Sequence, residues 1–252
     1  MLKIKNTALA FCSLILIFLI SIFIVVMMYI TIDQKFNIPP KVSSSEVNTS
    51  LDTKKLTIDF TDWNLNCDWN LLVINSQNPI PKNYEVNLKS CRDSQVDAKI
   101  SCYLNDMIEE AFSQNIKLWI SSGYRSESKQ NELFTNKVKE YIKQGYTEKD
   151  SESLSQTIVA KPGTSEHNLG LAVDLNGVQN DFNTTKEFSW LNENAHNYGF
   201  ILRYDNSKQN VTGKIYEPWH FRFVGIDHAK KMKEKNLCLE EYVSELISNK
   251  YQ

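Results

Sequence analysis

The sequence predicts an α+β protein in which a small, largely antiparallel sheet has helices packed against it, preceded by one transmembrane helix. Short segments in the second half of the chain, such as LGLAVDL, alternate with the period of strands, and longer segments between them have the period of helices. The first thirty residues instead form a nearly uninterrupted apolar run. The 252-residue chain therefore divides into an anchor at 1–30, a linker at 31–61 and a globular domain at 62–252.

The apolar run contains no charged residue between positions 7 and 30. About 20 apolar residues in a helix span a ~30 Å hydrocarbon core, so 7–30 is long enough to cross a membrane with some tilt. The alternative is a cleaved signal peptide, whose apolar region is shorter, about 7–15 residues, and ends at a small-residue cleavage site. No such site follows Met28, which favours an uncleaved signal-anchor. Lys3 and Lys5 precede the run and predict a single-pass protein with a cytoplasmic N-terminus and an extracellular domain.

The linker is polar, contains a Pro-Pro pair and shows no periodicity. In the domain that follows, a strand is predicted at 71–74, where LLVI runs into the turn sequence NSQNPIP. A helix at 100–116 and a strand at 117–121 come next, and Ser126 can cap a further helix. The apolar faces of the two helices comprise Ile100, Leu104, Met107, Ile108, Ala111 and Phe112 in the first, and Leu133, Phe134, Val138, Tyr141 and Ile142 in the second.

The second half of the domain predicts three strands and two helices. The alternating segment at 169–175 is a strand, and the helix at 186–198 is closed by Gly199, a residue suited to the left-handed turn that ends helices. Two short strands follow, at 200–204 and 219–223. The segment CLEEYVSELI, at 238–247, is amphipathic and predicts a final helix.

Charge and cysteine content narrow the function classes. The chain has 28 basic and 30 acidic residues, which gives no basic surface of the kind that binds nucleic acid. Export permits disulfides, and Cys67, Cys91, Cys102 and Cys238 lie in the predicted exported part. Four cysteines allow three pairings, and four unpaired thiols are the alternative. No CxxC pair occurs, which disfavours a thiolate zinc site.

His167 and Asp174 are candidate metal ligands. They lie seven residues apart in KPGTSEHNLGLAVDLN, with Gly170 between them permitting a close bend. The alternative is a polar loop histidine and an aspartate that caps the next turn. Two further histidines, His196 and His228, have no acidic or histidine partner at metal spacing and are assigned to surface or half-buried positions on helices.

His220 supplies the ligand that this pair lacks. Two imidazoles and one carboxylate form a catalytic zinc set that leaves the fourth tetrahedral position for water. Glu217, three residues earlier, is the candidate general base. Residues three apart on a regular strand face opposite sides, but Pro218 disfavours a position inside a strand ladder and lets Glu217 lie on a loop beside the metal. The alternative for Glu217 is a solvated carboxylate at a strand end.

Arg125 follows a strand and a glycine turn in SSGYRSESKQ, and Gln130 lies five residues further on. A guanidinium on such a loop is suited to bidentate binding of a carboxylate. Taken alone, an arginine on a loop is more often simply exposed to solvent.

The segments SSGYRS followed by Gln130, GTSEHNLGLAVDL and YEPWHFRFVG together resemble the D-alanyl-D-alanine carboxypeptidases of the vancomycin-resistance VanY type. These belong to the larger group of lysostaphin-type, D-Ala-D-Ala and hedgehog zinc proteins. The S-x-H-x-x-G-x-A-x-D and E-P-W-H patterns are both complete. The resemblance covers about 62–243, and Asn168 and Asp205 stand where relatives often carry other residues.

The resemblance implies a metallo-carboxypeptidase rather than a serine enzyme, with zinc bound by His167, Asp174 and His220 and with Glu217 as base. It implies that a peptidoglycan stem peptide is the substrate. It also implies that the peptide's terminal carboxylate is held by Arg125, Gln130 and Ser165. The sequence thus predicts a D,D-carboxypeptidase on the outer surface of the cell membrane. An L,D-carboxypeptidase on tetrapeptide stems, a cross-link endopeptidase and a non-catalytic zinc-stabilised binding module are the alternatives.

Overall fold

A computed structural model of the protein describes residues 59–250. Within these residues no helix has both the length and the apolar character needed to cross a membrane. The predicted anchor at 7–30 and nearly all of the predicted linker lie outside the described residues, so both stay predictions.

The described part is an α+β domain, as the sequence predicts. Its central sheet has four antiparallel strands, and a separate hairpin of two strands precedes it. The strands are β1 (Leu88–Cys91), β2 (Ser94–Asp97), β3 (Ile120–Ser122), β4 (Ala172–Leu175), β5 (Phe200–Leu202) and β6 (His220–Phe223). The helices are α1 (Thr61–Asn66), α2 (Ser101–Ser113), α3 (Glu127–Lys143), α4 (Glu148–Gln156), α5 (Lys186–Asn194), α6 (Gln209–Thr212), α7 (Ile226–Lys235) and α8 (Leu239–Lys250). Short 3₁₀ turns occur at Glu166–Leu169, Asn180–Thr184, Ala195–Tyr198 and Asn206–Lys208.

The strand order β3-β4-β6-β5 places β4 and β6 side by side at the centre of the sheet. All four residues of each of these strands are buried. Asp174 on β4 lies directly opposite His220 on β6. Residues paired in this way have side chains on the same face of the sheet with Cβ atoms about 5 Å apart. The register therefore brings together two segments that are 46 positions apart in the chain.

The predicted helices are confirmed, with two errors on their apolar faces. Ser126 accepts a hydrogen bond from the Lys129 N–H, so it caps α3 as predicted. Phe112 on α2 and Ile142 on α3 are exposed, at 69% and 45%, although both were predicted to be inside. With about 100° per residue, Phe112 lies about 80° from Leu104 and Ile142 lies about 100° from Tyr141, at the edge of each buried stripe.

The segment 71–74 is not a strand, so that prediction is wrong. Its four residues are all buried, but side chains rather than a neighbouring strand satisfy its backbone. Asn64 accepts from the Val73 N–H and donates to the Val73 carbonyl, both at 2.9 Å. Arg222 donates to the Leu72 carbonyl at 3.1 Å. An apolar run of four residues cannot reveal partners of this kind.

The remaining predicted strands and the final helix are confirmed with shorter or shifted ends, and Gly199 closes the 186–198 helical segment with φ 83°. The β1–β2 hairpin and α4 were not predicted. The hairpin turns at Arg92, which has φ 55°, without an Asn-Gly or Asp-Gly signal. Helix α4 buries only Ser151 and Ser155 and so carries no apolar stripe. Cys67, Cys91, Cys102 and Cys238 are all unpaired in the described residues.

Candidate active site

The turn that carries His167 is shaped by two small residues. The Ser165 side chain accepts a hydrogen bond from the His167 N–H and caps the 3₁₀ turn Glu166–Leu169. Gly170 ends the turn with φ 69°, and a Cβ there would lie 2.7 Å from the Asp97 amide nitrogen. Only glycine fits this bend, which leads the chain directly into β4 and places His167 beside Asp174.

His167, Asp174 and His220 form a buried group whose ligand atoms all lie within 4.8 Å of one another. Asp174 Oδ1 is 3.4 Å from His167 Nε2 and 3.3 Å from His220 Nδ1. Tetrahedral zinc with ligand bonds of about 2.0–2.1 Å requires ligand atoms about 3.3–3.4 Å apart. The two distances match this requirement, so the residues fit a zinc ion.

The hydrogen bonding of His167 supports the same fit. Its Nδ1 lies 2.8 Å from the Gly123 carbonyl oxygen, which leaves Nε2 directed at Asp174. His167 Nε2 and Asp174 Oδ1 are buried and have no hydrogen-bond partner within residues 59–250. Histidine ligands commonly donate their second nitrogen to a carbonyl or carboxylate in this way. Two unpartnered atoms of adjacent buried residues are costly unless a cation lies between them.

The electrostatics of the group also favour a cation. Burial alone would lower the pKa of His220, but the nearby carboxylates of Asp174 and Glu166 raise it to about 9. For His167, burial and then the Arg125 charge lower the pKa to about 4. The carboxylates therefore stabilise positive charge at His220, while His167 is held neutral and free to bind a metal.

Glu217 lies next to this group. Its Oε2 is 3.4 Å from His220 Nδ1, and burial raises the pKa of the carboxyl to about 7, against the lowering effects of His220 and Lys214. The Glu217 carbonyl accepts from the His220 N–H at 3.1 Å, which closes a four-residue turn with Pro218 in its second position. Proline is favoured there because its φ is already set for the turn. The turn explains how residues three apart face the same point.

Arg125, from the segment SSGYRSESKQ, also lies at the site. Its guanidinium forms an ion pair with Asp174 Oδ2, and its Nε donates to Ser122 Oγ at 2.8 Å. The side chain remains 20% exposed, so it is reachable from solvent. Gln130 is buried, and its Nε2 donates to the Ala160 carbonyl at 2.7 Å, while Oε1 has no partner within the described residues.

Four charged residues beside the site were not recognised from the sequence. Arg203 and Arg222 each donate to Glu166 Oε1, at 2.8 and 2.7 Å. Arg203 also binds both oxygens of Glu240 on α8, at 2.6 and 2.8 Å. All four are at most 5% exposed. The sequence offered a signal for the two arginines, because each is a charged residue inside an apolar strand pattern, Arg203 in FILRY and Arg222 in WHFRF.

Comparison with known proteins identifies the family. A family model described as VanY, D-alanyl-D-alanine carboxypeptidase, matches residues 93–226, which include all three segments of the site. The chain belongs to the VanY family. The family resemblance inferred from the three motifs is thereby confirmed.

Individual relatives are similar to this chain over most of its length. A D-alanyl-D-alanine carboxypeptidase of Enterococcus faecalis (strain ATCC 700802 / V583) is 43% identical over 178 residues, which is 70% of this chain and 66% of that relative. The chain thus matches slightly less than two thirds of that relative's length.

Two solved VanY structures superpose on the chain. One is a mutant of the vancomycin-resistance D,D-pentapeptidase VanY from a VanB-type resistance cassette, in complex with Zn(II). It has a TM-score of 0.65 and 43% identity, and the match covers 70% of this chain and 99% of that one. The other is VanYB in complex with D-alanine-D-alanine, with a TM-score of 0.66 and 43% identity, covering 70% and 98%.

Proposed function

We propose that the protein is a zinc-dependent D,D-carboxypeptidase that removes the C-terminal D-alanine from peptidoglycan stem peptides. The observation that carries the proposal is the convergence of His167, Asp174 and His220, in which His167 Nε2 and His220 Nδ1 both lie at tetrahedral spacing from Asp174 Oδ1. VanY membership supports the same reaction, because relatives with this name are D-alanyl-D-alanine carboxypeptidases and one was solved with Zn(II).

His167, Asp174 and His220 would hold the zinc. In a site of this kind zinc supplies an acidified water and a Lewis acid for the peptide carbonyl. Glu217 acts as the general base, because its Oε2 lies beside the ligands and its pKa of about 7 suits proton transfer near neutral pH. It takes a proton from the attacking water and delivers it to the nitrogen of the departing D-alanine.

Substrate capture is assigned to Arg125, with Gln130 and Ser165 in support. Arg125 is the exposed cation of the site, and its guanidinium has five donors, of which the Asp174 and Ser122 contacts use only part. A free terminal carboxylate is its natural partner, which would restrict cleavage to the end of the peptide.

Gln130 and Ser165 would help Arg125 to hold this carboxylate. The Ser165 hydroxyl accepts from the His167 N–H and keeps its O–H as a donor. Gln130 Nε2 has a second N–H besides the one donated to the Ala160 carbonyl.

The same proposal places the enzyme at the cell membrane. The apolar segment 7–30 would anchor a single-pass protein with its N-terminus in the cytoplasm and the domain outside. The proposal is supported by the substrate, because peptidoglycan lies outside the membrane. Protease treatment of intact cells would degrade the domain if it is outside and leave it intact if it is not.

Product identification tests the reaction. The full-length protein is incubated with defined pentapeptide and tetrapeptide stems, and the products are weighed by mass spectrometry. Loss of one D-alanine from the pentapeptide is expected, and the tetrapeptide should stay intact. Cleavage of the tetrapeptide would indicate an L,D-carboxypeptidase, and cleavage inside a cross-linked dimer an endopeptidase.

Metal dependence separates the enzyme from a binding module. Chelation should abolish release of D-alanine, and added zinc should restore it. A protein that binds zinc and stem peptides but releases no D-alanine would be a zinc-stabilised binding module, and the proposal would be wrong.

A further inference from the structure

Glu166 has two carboxylate oxygens with different surroundings. Oε1 accepts hydrogen bonds from both Arg203 and Arg222, at 2.8 and 2.7 Å. Oε2 has no hydrogen-bond partner within residues 59–250 and lies 3.5 Å from His220 Nε2. His220 Nε2 is likewise buried and without a hydrogen-bond partner in this part of the chain. Two orphaned polar atoms therefore face each other.

The two arginines fix the orientation of this carboxylate. Arg203 is held by both oxygens of Glu240, and Arg222 is held by the backbone carbonyls of Asn70 and Leu72. The side chains of Glu166, Arg203 and Arg222 have no exposed surface. With Oε1 bound on two sides in a packed interior, the carboxylate cannot turn away, and Oε2 remains directed at the imidazole.

We infer that Glu166 is a positioning residue of the proposed zinc centre, acting through His220. Its Oε2 accepts the Nε2–H of His220, and this selects the tautomer whose Nδ1 lone pair points at the metal. The nitrogen assignment agrees with geometry, because Nδ1 and not Nε2 lies 3.3 Å from Asp174 Oδ1. The inference rests on the proposed function, since a protein without zinc would have no use for this tautomer.

The two histidine ligands are then arranged in opposite ways. His167 directs Nδ1 at the Gly123 carbonyl and Nε2 at the metal position. His220 directs Nε2 at Glu166 and Nδ1 at the metal position. A carbonyl supports the first ring and a charged carboxylate supports the second, and loss of such a partner typically weakens metal binding about 10–100-fold.

Nitrogen-15 spectroscopy of the zinc-loaded full-length wild type gives a direct test. The chain has only four histidines, so substitution of His196 and His228 completes the assignment. We expect His220 to keep its proton on Nε2 and bind metal through Nδ1, and His167 to show the reverse. Metal bound through Nε2 of His220 would overturn the inference while leaving the proposed function intact. A chain that binds no zinc would contradict both.

A pair of matched variants tests the energetic consequence. Glu166→Gln and Glu240→Gln each remove one buried carboxylate from the same group of ion pairs, but only Glu166 faces His220. In Glu240→Gln, Arg222 still holds Glu166. Both variants should unfold at lower temperature than wild type in the zinc-free state. Chelator competition should give a zinc Kd raised about 10–100-fold for Glu166→Gln and close to wild type for Glu240→Gln.

Equal zinc affinities in the two variants would show that Glu166 serves stability alone and would overturn the inference. If Glu166→Gln does not fold, the wild-type spectrum decides, because it requires no substitution.

Discussion

Two groups of buried charged residues lie side by side in this protein and are satisfied to very different degrees. The metal cluster consists of His167, Asp174, His220 and Glu217, and the ion-pair cluster consists of Glu166, Arg203, Arg222 and Glu240. In the ion-pair cluster the hydrogen bonds between side chains are 2.6–2.8 Å long. In the metal cluster the corresponding contacts are 3.3–3.4 Å, and two ligand atoms have no hydrogen-bond partner within the described residues.

The difference shows that burial of charge does not by itself mark a functional site. Two cations and two carboxylates neutralise one another in the ion-pair cluster. Its one buried side-chain atom without a hydrogen-bond partner within residues 59–250 is Glu166 Oε2, which faces His220. In the metal cluster, lone pairs face lone pairs at the spacing of tetrahedral zinc. In these two clusters, unsatisfied buried atoms are therefore concentrated in the metal cluster and at the single carboxylate oxygen that faces it.

The largest expected effect is on catalysis in the metal cluster. Glu217→Gln should lower kcat about 10³-fold, because the base is lost while the shape of the side chain is kept. Zinc content and unfolding temperature should not fall, because burial disfavours the charged form of this carboxyl more than His220 and Lys214 favour it. Timed assays of D-alanine release give kcat, metal analysis gives the zinc content, and thermal unfolding gives the unfolding temperature. Hydrolysis at the wild-type rate would contradict the role of Glu217.

The second effect is on stability in the ion-pair cluster. Arg203→Met should lower the free energy of unfolding by about 3–5 kcal/mol, because Glu240 is left buried and unpaired. The double variant Arg203→Met with Glu240→Leu should recover much of the loss, since it removes both partners and leaves Glu166 with Arg222. Denaturant unfolding measures both. A double variant as unstable as the single one would show that the cluster is not a neutral unit.

The third effect concerns Arg125, which combines an ion pair with Asp174 and partial exposure to solvent. Arg125→Ala should lower kcat/KM for free-acid stem peptides about 10²-fold, mainly through KM, because a bidentate charged partner is lost. Peptides amidated at the C-terminus should be poor substrates of wild type and variant alike. Equal cleavage of free and amidated peptides by the wild type would exclude this role for Arg125.

The smallest effect is expected at Ser165, where a capping role and a substrate role can be separated. Ser165→Ala should lower the free energy of unfolding by about 1 kcal/mol, because the cap of the His167 turn is lost. Ser165→Asp is the control, since aspartate can restore the cap. If Ser165→Asp restores the stability while KM stays above the wild-type value in both variants, the Ser165 side chain also contacts substrate, as proposed. Recovery of both would limit Ser165 to the turn.

Stability should also depend on pH through the ion-pair cluster. Burial would raise the pKa of Glu166, but Arg203 and Arg222 hold it well below its usual value in the folded state. A carboxyl with a depressed folded-state pKa stabilises the fold above its unfolded pKa, and that stability is lost as the pH falls through the folded pKa. Acid unfolding of wild type and Glu166→Gln should therefore converge at low pH.

Local patterns in the sequence were sufficient for most elements and for the choice of residues that come together in the metal cluster. Helices α2 and α3, the strands that carry Asp174 and His220, and the position of Glu217 before the strand were all predicted, because periodicity, caps and proline act over a few residues. The errors at Phe112 and Ile142 lie at stripe edges, where a pattern of 3.6 residues per turn does not define which residue is covered. The segment 71–74 was misread because its partners are distant side chains.

What the sequence alone determined is the set of residue types and the local backbone that the site requires. Gly170 and Pro218 specify the two turns, and the short strands specify the face of the sheet on which Asp174 and His220 lie. Only the tertiary structure decided that β4 pairs with β6 in the register that sets Asp174 opposite His220, and that Arg203 and Arg222 enclose Glu166. These contacts join positions 37 to 56 apart in the chain. Their energy depends on burial and distance, and neither quantity exists until the chain has folded.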